Sequence, residues 1–295
     1  MTATAHDTPP RLISGLSEIL DGYDAIFCDV WGVIHNGRES FAAACDALSR
    51  AQAERGIPVI LVSNAPRPAE DVKPQLHALM VPDHAWSGFV TSGDATRAEL
   101  RRHAPGPVWA VGPPRDEPLY AGLDLTRGTV ETATFICTTG LFDDERETPE
   151  DYRAALTVAA ARGLPMVCAN PDRVVQRGDH MIYCAGALAD LYESLGGRAV
   201  MAGKPHAPIY DLALEDAAQR LGRPVDRRRV LAIGDGLITD VAGAQGQGID
   251  CLFVTDGIHA ADVRGPDGQV GLHRIAALLQ GQGLAPAYAI PHLVW

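Results

Sequence analysis

Lysine is almost missing from this chain: of its 25 basic residues only Lys73 and Lys204 are lysines. A coding preference for arginine accounts for such scarcity, and it draws attention to each primary amine that is retained. Basic residues are also outnumbered, 25 against 37 acidic, for a formal net charge of -12. A general nucleic-acid binder shows a basic surface, so that class is excluded. Phosphorylated small molecules are not excluded, because a metal ion and one lysine can reverse the field locally. The six cysteines contain no CxxC pair, and no Cys/His spacing suits zinc. Cys28, Cys137, Cys168, Cys184 and Cys251 lie in or beside apolar runs and Cys45 lies in a helical stretch, the pattern of buried free thiols in a reducing compartment. No apolar run approaches membrane-spanning length. Residues 1–10 lack the basic and apolar regions of a signal peptide. The expectation is a soluble, cytoplasmic protein with neither a membrane nor a nucleic acid as partner.

What is present suits a globular protein: 46% hydrophobic and 21% charged residues over 295 positions, enough for one large domain or two smaller ones. Short apolar runs alternate with helical patterns, which predicts an α/β fold with a mainly parallel sheet. Ala25-Ile26-Phe27-Cys28 is a strand ending at Asp29. Residues from about 40 to 55 are helical, with Ala43, Leu48 and Ala51 assigned to one face. Pro58-Val59-Ile60-Leu61-Val62 runs into Ser63-Asn64, and a helix follows, begun or interrupted around Pro74. Gly88-Phe89-Val90-Thr91 leads to a helix opened by Ser92-Gly93-Asp94. A second α/β pattern then intervenes, with strands around Val108-Trp109-Ala110-Val111, Ala133-Thr134-Phe135-Ile136-Cys137 and Met166-Val167-Cys168-Ala169 and a helix over 151–162. The first pattern resumes with Ala199-Val200-Met201-Ala202, a helix over 208–221, Val230-Leu231-Ala232-Ile233 and Cys251-Leu252-Phe253-Val254. The simplest organisation is a discontinuous core, residues 1–94 and 189–295, with residues 95–188 inserted as an α/β cap.

Four strand ends carry polar residues: Asp29, Ser63-Asn64, Lys204, and Gly234-Asp235 with Asp240. In open α/β sheets ligands gather outside the carboxyl ends of the strands. Each residue has an ordinary explanation. A lone Asp after a strand is more often a helix cap or a turn residue, Ser-Asn is a turn signal, and Lys204-Pro205 suits a solvated loop. Asp235 and Asp240 suit the cap and solvated face of the next helix. Their joint occurrence, each after an apolar strand, is far more specific than any one of them.

In that order the four sites resemble the motifs of the haloacid dehalogenase-like hydrolase superfamily. Asp29 matches the nucleophile, Ser63 the hydroxyl motif, Lys204 in Gly203-Lys204-Pro205 the lysine, and Gly234-Asp235-Gly236-Leu237-Ile238-Thr239-Asp240 the acidic motif. A cap between the second and third motifs is the arrangement of class IIA, the nitrophenylphosphatase-like branch, as are Ala169-Asn170-Pro171-Asp172 and Gly186-Ala187. The resemblance extends from about residue 13 to residue 295. It implies a Rossmann-like parallel core and a phosphohydrolase acting on a small phosphorylated substrate through a phospho-aspartate. Mg²⁺ would be held by Asp29, Asp235, Asp240 and the backbone carbonyl of Trp31. Ser63, the amide of Asn64 and Lys204 would meet the phosphate. Asn170 and Asp172 would shape the substrate surface, although turn formation around Pro171 explains them equally well. Caps of this branch often form dimer contacts, which makes a homodimer through the cap one arrangement the resemblance allows; no exposed apolar patch can be read from the sequence, and the oligomeric state stays open.

One position departs from the family. The phosphatases place a second Asp two residues after the nucleophile, as general acid and base, and here that residue is Trp31. Such proton transfer contributes about 10²–10⁴ in rate, and an indole does not titrate usefully. Three alternatives follow. The acid comes from elsewhere or the leaving group needs none, with His35 and His206 as candidates, each equally a loop or surface histidine. Alternatively the protein is a haloacid dehalogenase, since those relatives place an aromatic residue here. Their lack of the acidic pair and their different cap position oppose this, and the absence of lysine from the cap opposes phosphonate cleavage. Or the site binds a phosphorylated ligand without turnover, as a sensor.

Overall fold

The computed structural model describes residues 9–177, 180–265 and 270–295. They form two compact units, the first comprising Met1–Val62, Gln75–Phe89 and Tyr210–Trp295, the second Ser63–Pro74 and Val90–Ile209.

The first unit is built on a seven-stranded sheet. In chain order its strands are β1 (Arg11–Leu12), β2 (Ala25–Cys28), β3 (Val59–Ser63), β4 (Gly88–Thr91), β11 (Val230–Gly234), β12 (Asp250–Val254) and β13 (Tyr288–Ile290). In the second unit lie β5 (Val108–Val111), β6 (Phe135–Thr138), β7 (Pro165–Cys168), β8 (Val174–Arg177), β9 (His180–Tyr183) and β10 (Arg198–Met201). The large sheet has the order β1-β13-β12-β11-β2-β3-β4, and the pairs from β1 to β3 are all parallel. Every residue of β2 and β11 is buried, which explains why both read as unbroken apolar runs: a central parallel strand is covered on both faces. The register pairs Ile233 with Cys28 and Gly234 with Phe253. The polar residues following β2 and β11 therefore emerge side by side.

Nine helices are described: α1 (Ala42–Arg55), α2 (Ala69–Ala78), α3 (Ser92–Arg102), α4 (Arg153–Ala161), α5 (Ala185–Ser194), α6 (Ala207–Leu221), α7 (Ala242–Gln247), α8 (Ala260–Val263) and α9 (Leu272–Gln282). In α1 the buried face is Ala44, Cys45, Ala47, Leu48 and Ala51. Ala43, assigned to that face from sequence, is exposed instead, because five residues from 43 to 48 turn a helix well past one revolution. The helix stops at Gly56, whose left-handed backbone returns an N–H to Ala51 and Gln52. The helix expected near Pro74 runs through it, as α2. The core of this unit joins Ile26, Leu48, Leu61, Ile233 and Leu252.

In the second unit β10-β7-β6-β5 form a parallel sheet, and β8 and β9 pair antiparallel as a separate ribbon. One core packs Ile136, Leu156, Met166 and Tyr192, and another packs Leu100, Phe135 and Val167. All six cysteines are buried and unbridged. Among the described residues no helix is long and apolar enough to cross a membrane.

Candidate active site

The residues singled out by sequence fall into two groups, each within one unit. The first is acidic. Asp29 follows β2, with its N–H donating to the Ile233 carbonyl at 2.8 Å. Asp235 follows β11, and Asp240 lies in a π-helical turn, Leu237–Val241, that leads into α7. Asp29, Asp235 and Asp240 each present a carboxylate oxygen, and the three atoms lie within 4.8 Å of one another. Asp235 and Asp240 are buried while Asp29 is partly exposed.

Hydrogen bonds hold these carboxylates in place. Asp240 Oδ2 accepts from Gly236 N–H at 3.0 Å, and Asp235 Oδ2 accepts from Ile258 N–H at 2.8 Å. The approach to Asp235 is close from two directions. Gly32, at φ +84°, would place a Cβ 2.2 Å from Asp235 Oδ2, and a Cβ on Gly257 would lie 2.0 Å from the same oxygen. Gly32 is the residue directly after Asp29-Val30-Trp31. The loop carrying Gly257 and the Ile258 amide was missed, although Thr255-Asp256-Gly257 follows β12 just as the other polar residues follow their strands.

Three carboxylates gathered this tightly repel one another, the more so where water is scarce. The donors are all hard oxygens, with no thiolate or imidazole among them, which suits a hard divalent cation such as Mg²⁺ rather than zinc. The residues present thus fit the metal the family uses.

The second group surrounds Lys204, in the loop after β10. Lys204 is buried, 3% exposed, so its ammonium acts where electrostatics are strong. Ser63 ends β3, and its Oγ accepts from Ala65 N–H at 3.2 Å, leaving the hydroxyl proton for another acceptor. The buried Asn64 side chain joins Asp172 Oδ1 and the Lys204 main chain. Asn170 Oδ1 accepts from Asp172 N–H at 3.0 Å, the turn expected around Pro171.

Trp31 and its surroundings differ from the sequence-based picture. The indole lies over Gly37, whose Cβ would fall 2.6 Å from it, and meets the His35 ring edge-on at 5.1 Å between centroids. His35, read as a loop or surface histidine with a claim to the acid's role, is buried at 2% exposure. Burial pushes its pKa down to about 4, and Nδ1 accepts from Gly37 N–H at 3.1 Å. A neutral imidazole so held is a packing partner of Trp31 and a poor proton donor. His206, the other candidate, is exposed.

Comparison with known proteins gives this arrangement its lineage. The family model described as haloacid dehalogenase-like hydrolase matches residues 26–126, and a HAD-hydrolase-like model matches residues 201–276. The crystal structure of a haloacid dehalogenase-like hydrolase from Brucella suis 1330 superposes with a TM-score of 0.84 at 45% identity, covering 97% of this chain and 100% of that one. The 5'-nucleotidase YutF of Bacillus subtilis (strain 168) is 26% identical, over 88% of this chain and 97% of its own length. The ribonucleotide monophosphatase NagD of Escherichia coli (strain K12) is 24% identical, over 80% of this chain and 89% of its own. The chain belongs to the haloacid dehalogenase-like hydrolase family, in its class IIA branch, with a Rossmann-like α/β core and an α/β cap.

Proposed function

We propose that this chain is a cytoplasmic, Mg²⁺-dependent phosphatase that hydrolyses a small phosphorylated metabolite through a phospho-Asp29 intermediate. The observation that carries this reading is the convergence of Asp29, Asp235 and Asp240 oxygens within 4.8 Å, two of them just past the ends of β2 and β11 and the third in the π-helical turn that follows β11. Family membership and the phosphatase names of the relatives agree with it. The core, residues 1–94 and 189–295, carries the chemistry, and the inserted cap, residues 95–188, selects the substrate, with Asn170 and Asp172 shaping the surface it meets.

Asp29, Asp235, Asp240 and the Trp31 carbonyl would hold Mg²⁺, which when bound offsets the phosphate's negative charge against the attacking carboxylate. Asp29 attacks phosphorus, the ester P–O bond breaks, and the alcohol departs after gaining a proton. Water then attacks the phosphorus of the acyl phosphate, releasing inorganic phosphate and restoring Asp29. Ser63, the Asn64 N–H and Lys204 hold the phosphoryl oxygens through both steps. With Trp31 in place of the second Asp and His35 neutral, leaving groups that are weak bases, aryl or acyl, are handled best. The acidic group argues against metal-free dehalogenation.

The test is turnover of 4-nitrophenyl phosphate, glycerol 3-phosphate and a nucleoside 5'-monophosphate, with and without Mg²⁺. Wild type is expected to require the metal, and Asp29→Asn to lose about 10³-fold or more. Trp31→Asp should raise alkyl relative to aryl turnover by restoring an acid, within the about 10²–10⁴-fold range of such catalysis. An inactive wild type that binds the nucleotide would replace the enzyme with a sensor. Haloacid turnover without metal would replace it with a dehalogenase.

A further inference from the structure

Asn64 holds both polar groups of a single peptide residue. Its Oδ1 accepts from Lys204 N–H at 2.7 Å, and its Nδ2 donates to the Lys204 carbonyl at 3.1 Å and to Asp172 Oδ1 at 2.9 Å. A carboxamide joined to the N–H and C=O of one residue imitates the paired bonds of an antiparallel ladder, so the Lys204 main chain is fixed from two sides. Asp172 reinforces the orientation of the carboxamide that the Lys204 peptide requires, since its carboxylate accepts only from the NH₂ end. Asp172 is tied down in turn: its N–H donates to Asn170 Oδ1, and its carbonyl accepts from Gly186 N–H at 3.0 Å. Residue 203 must be glycine for the loop to come this near, as a Cβ there would lie 2.5 Å from Ser92 Oγ and 2.6 Å from Asn64 Oδ1. Asn64 and Lys204 are 5% and 3% exposed, so water competes little for these bonds.

We propose that Asn64 and Asp172 are positioning residues for Lys204: Asp172 reinforces the orientation of the Asn64 carboxamide, which locks the Lys204 peptide and sets the root of its ammonium. Lysine carries its charge on a flexible four-carbon stem, so the main-chain root is the part a neighbour can fix firmly. The catalytic consequence rests on the phosphatase reading above; the clamp itself does not.

Because Lys73 and Lys204 are the only lysines, protein labelled with ¹⁵N-lysine reports two lysine backbone amides, and hydrogen exchange at Lys204 reads the clamp without turnover. In Asn64→Ala the Lys204 amide is expected to exchange at least about 10-fold faster while Lys73, in α2, keeps its rate and shows that the chain remains folded. Asp172→Ala should loosen the same amide, and Asp172→Asn, which retains an acceptor oxygen, should restore it. This pair decides the matter if Asn64→Ala does not fold. Unchanged Lys204 exchange in the variants overturns the clamp. With 4-nitrophenyl phosphate, Asn64→Ala is expected to lower kcat about 10- to 100-fold with little change in KM. Combined with Lys204→Met it should be no slower than Lys204→Met alone, because Asn64 acts through the lysine. A double variant slowed further by the whole Asn64 factor shows an independent action on substrate and overturns the proposal. A wild type inactive on every ester removes the phosphatase reading, while the exchange rates still decide the clamp.

Discussion

At the scale of single residues, Trp31 and His35 act as a pair. The indole packs edge-on to the imidazole, and burial keeps that imidazole neutral, with a pKa of about 4 against an ordinary 6.5. The sign of the pH effect follows from proton counting. Between pH 6.5 and 4 the unfolded chain binds a proton at His35 that the folded chain refuses, so stability rises with pH across that window. The contribution is complete above the unfolded pKa and is lost as pH falls towards 4, a swing of about 3 kcal/mol. His35→Asn, whose side-chain oxygen can accept the Gly37 amide, should flatten this dependence in denaturant titrations made at a series of pH values. An unchanged slope would show that the histidine is already protonated in the fold. Asp29 and Asp235 were legible in sequence because each follows an apolar run, and Asp240 because it lies five residues after Asp235 in the same motif. The neutrality of His35 was not, because only the surrounding loop removes water from it.

At the scale of elements, the start of α3 shows local chemistry that sequence does reveal. Thr91 Oγ1 accepts from Asp94 N–H at 3.0 Å, and Asp94 returns a carboxylate to Thr91 N–H at 3.0 Å, a capping box at the junction of β4 and α3. Thr91→Ala should cost roughly 1–2 kcal/mol by denaturant titration and Thr91→Ser much less, since the hydroxyl is what caps. Equal losses in both variants would point to the buried methyl group instead. Other elements escaped notice. The β8–β9 ribbon consists of two four-residue strands whose sequences, Val-Val-Gln-Arg and His-Met-Ile-Tyr, mix polar with apolar residues, so neither stands out as an apolar run. The two-residue β1 pairs with β13 across almost the full length of the chain, and no local signal records such a pairing. Helix α1 was found, but Ala43 was assigned to its buried side, because three alanines in a row around it leave the phase of the stripe ambiguous.

At the scale of the whole molecule, a homodimer through the inserted cap is the remaining proposal. Met181 and Tyr183, on β9, are 57% and 43% exposed, apolar area that a second copy would cover. Sedimentation equilibrium should show a dimer that Met181→Glu converts to monomer without altering the far-ultraviolet circular dichroism. A wild type that sediments as a monomer, or a dimer indifferent to Met181, would place the contact elsewhere or remove it.

The amino-acid sequence alone determined the α/β class, the strands that end in Asp29, Ser63 and Asp235, and the family, because parallel strands and their polar ends are written as contiguous patterns. Only the tertiary structure decided what each polar group meets. It brought three carboxylates to one point, put the Ile258 amide against Asp235, buried His35 beneath Trp31 and joined Asn64 to the Lys204 peptide 140 residues away. These are contacts between distant segments, set by sheet register and loop packing, and no local run of residues encodes them.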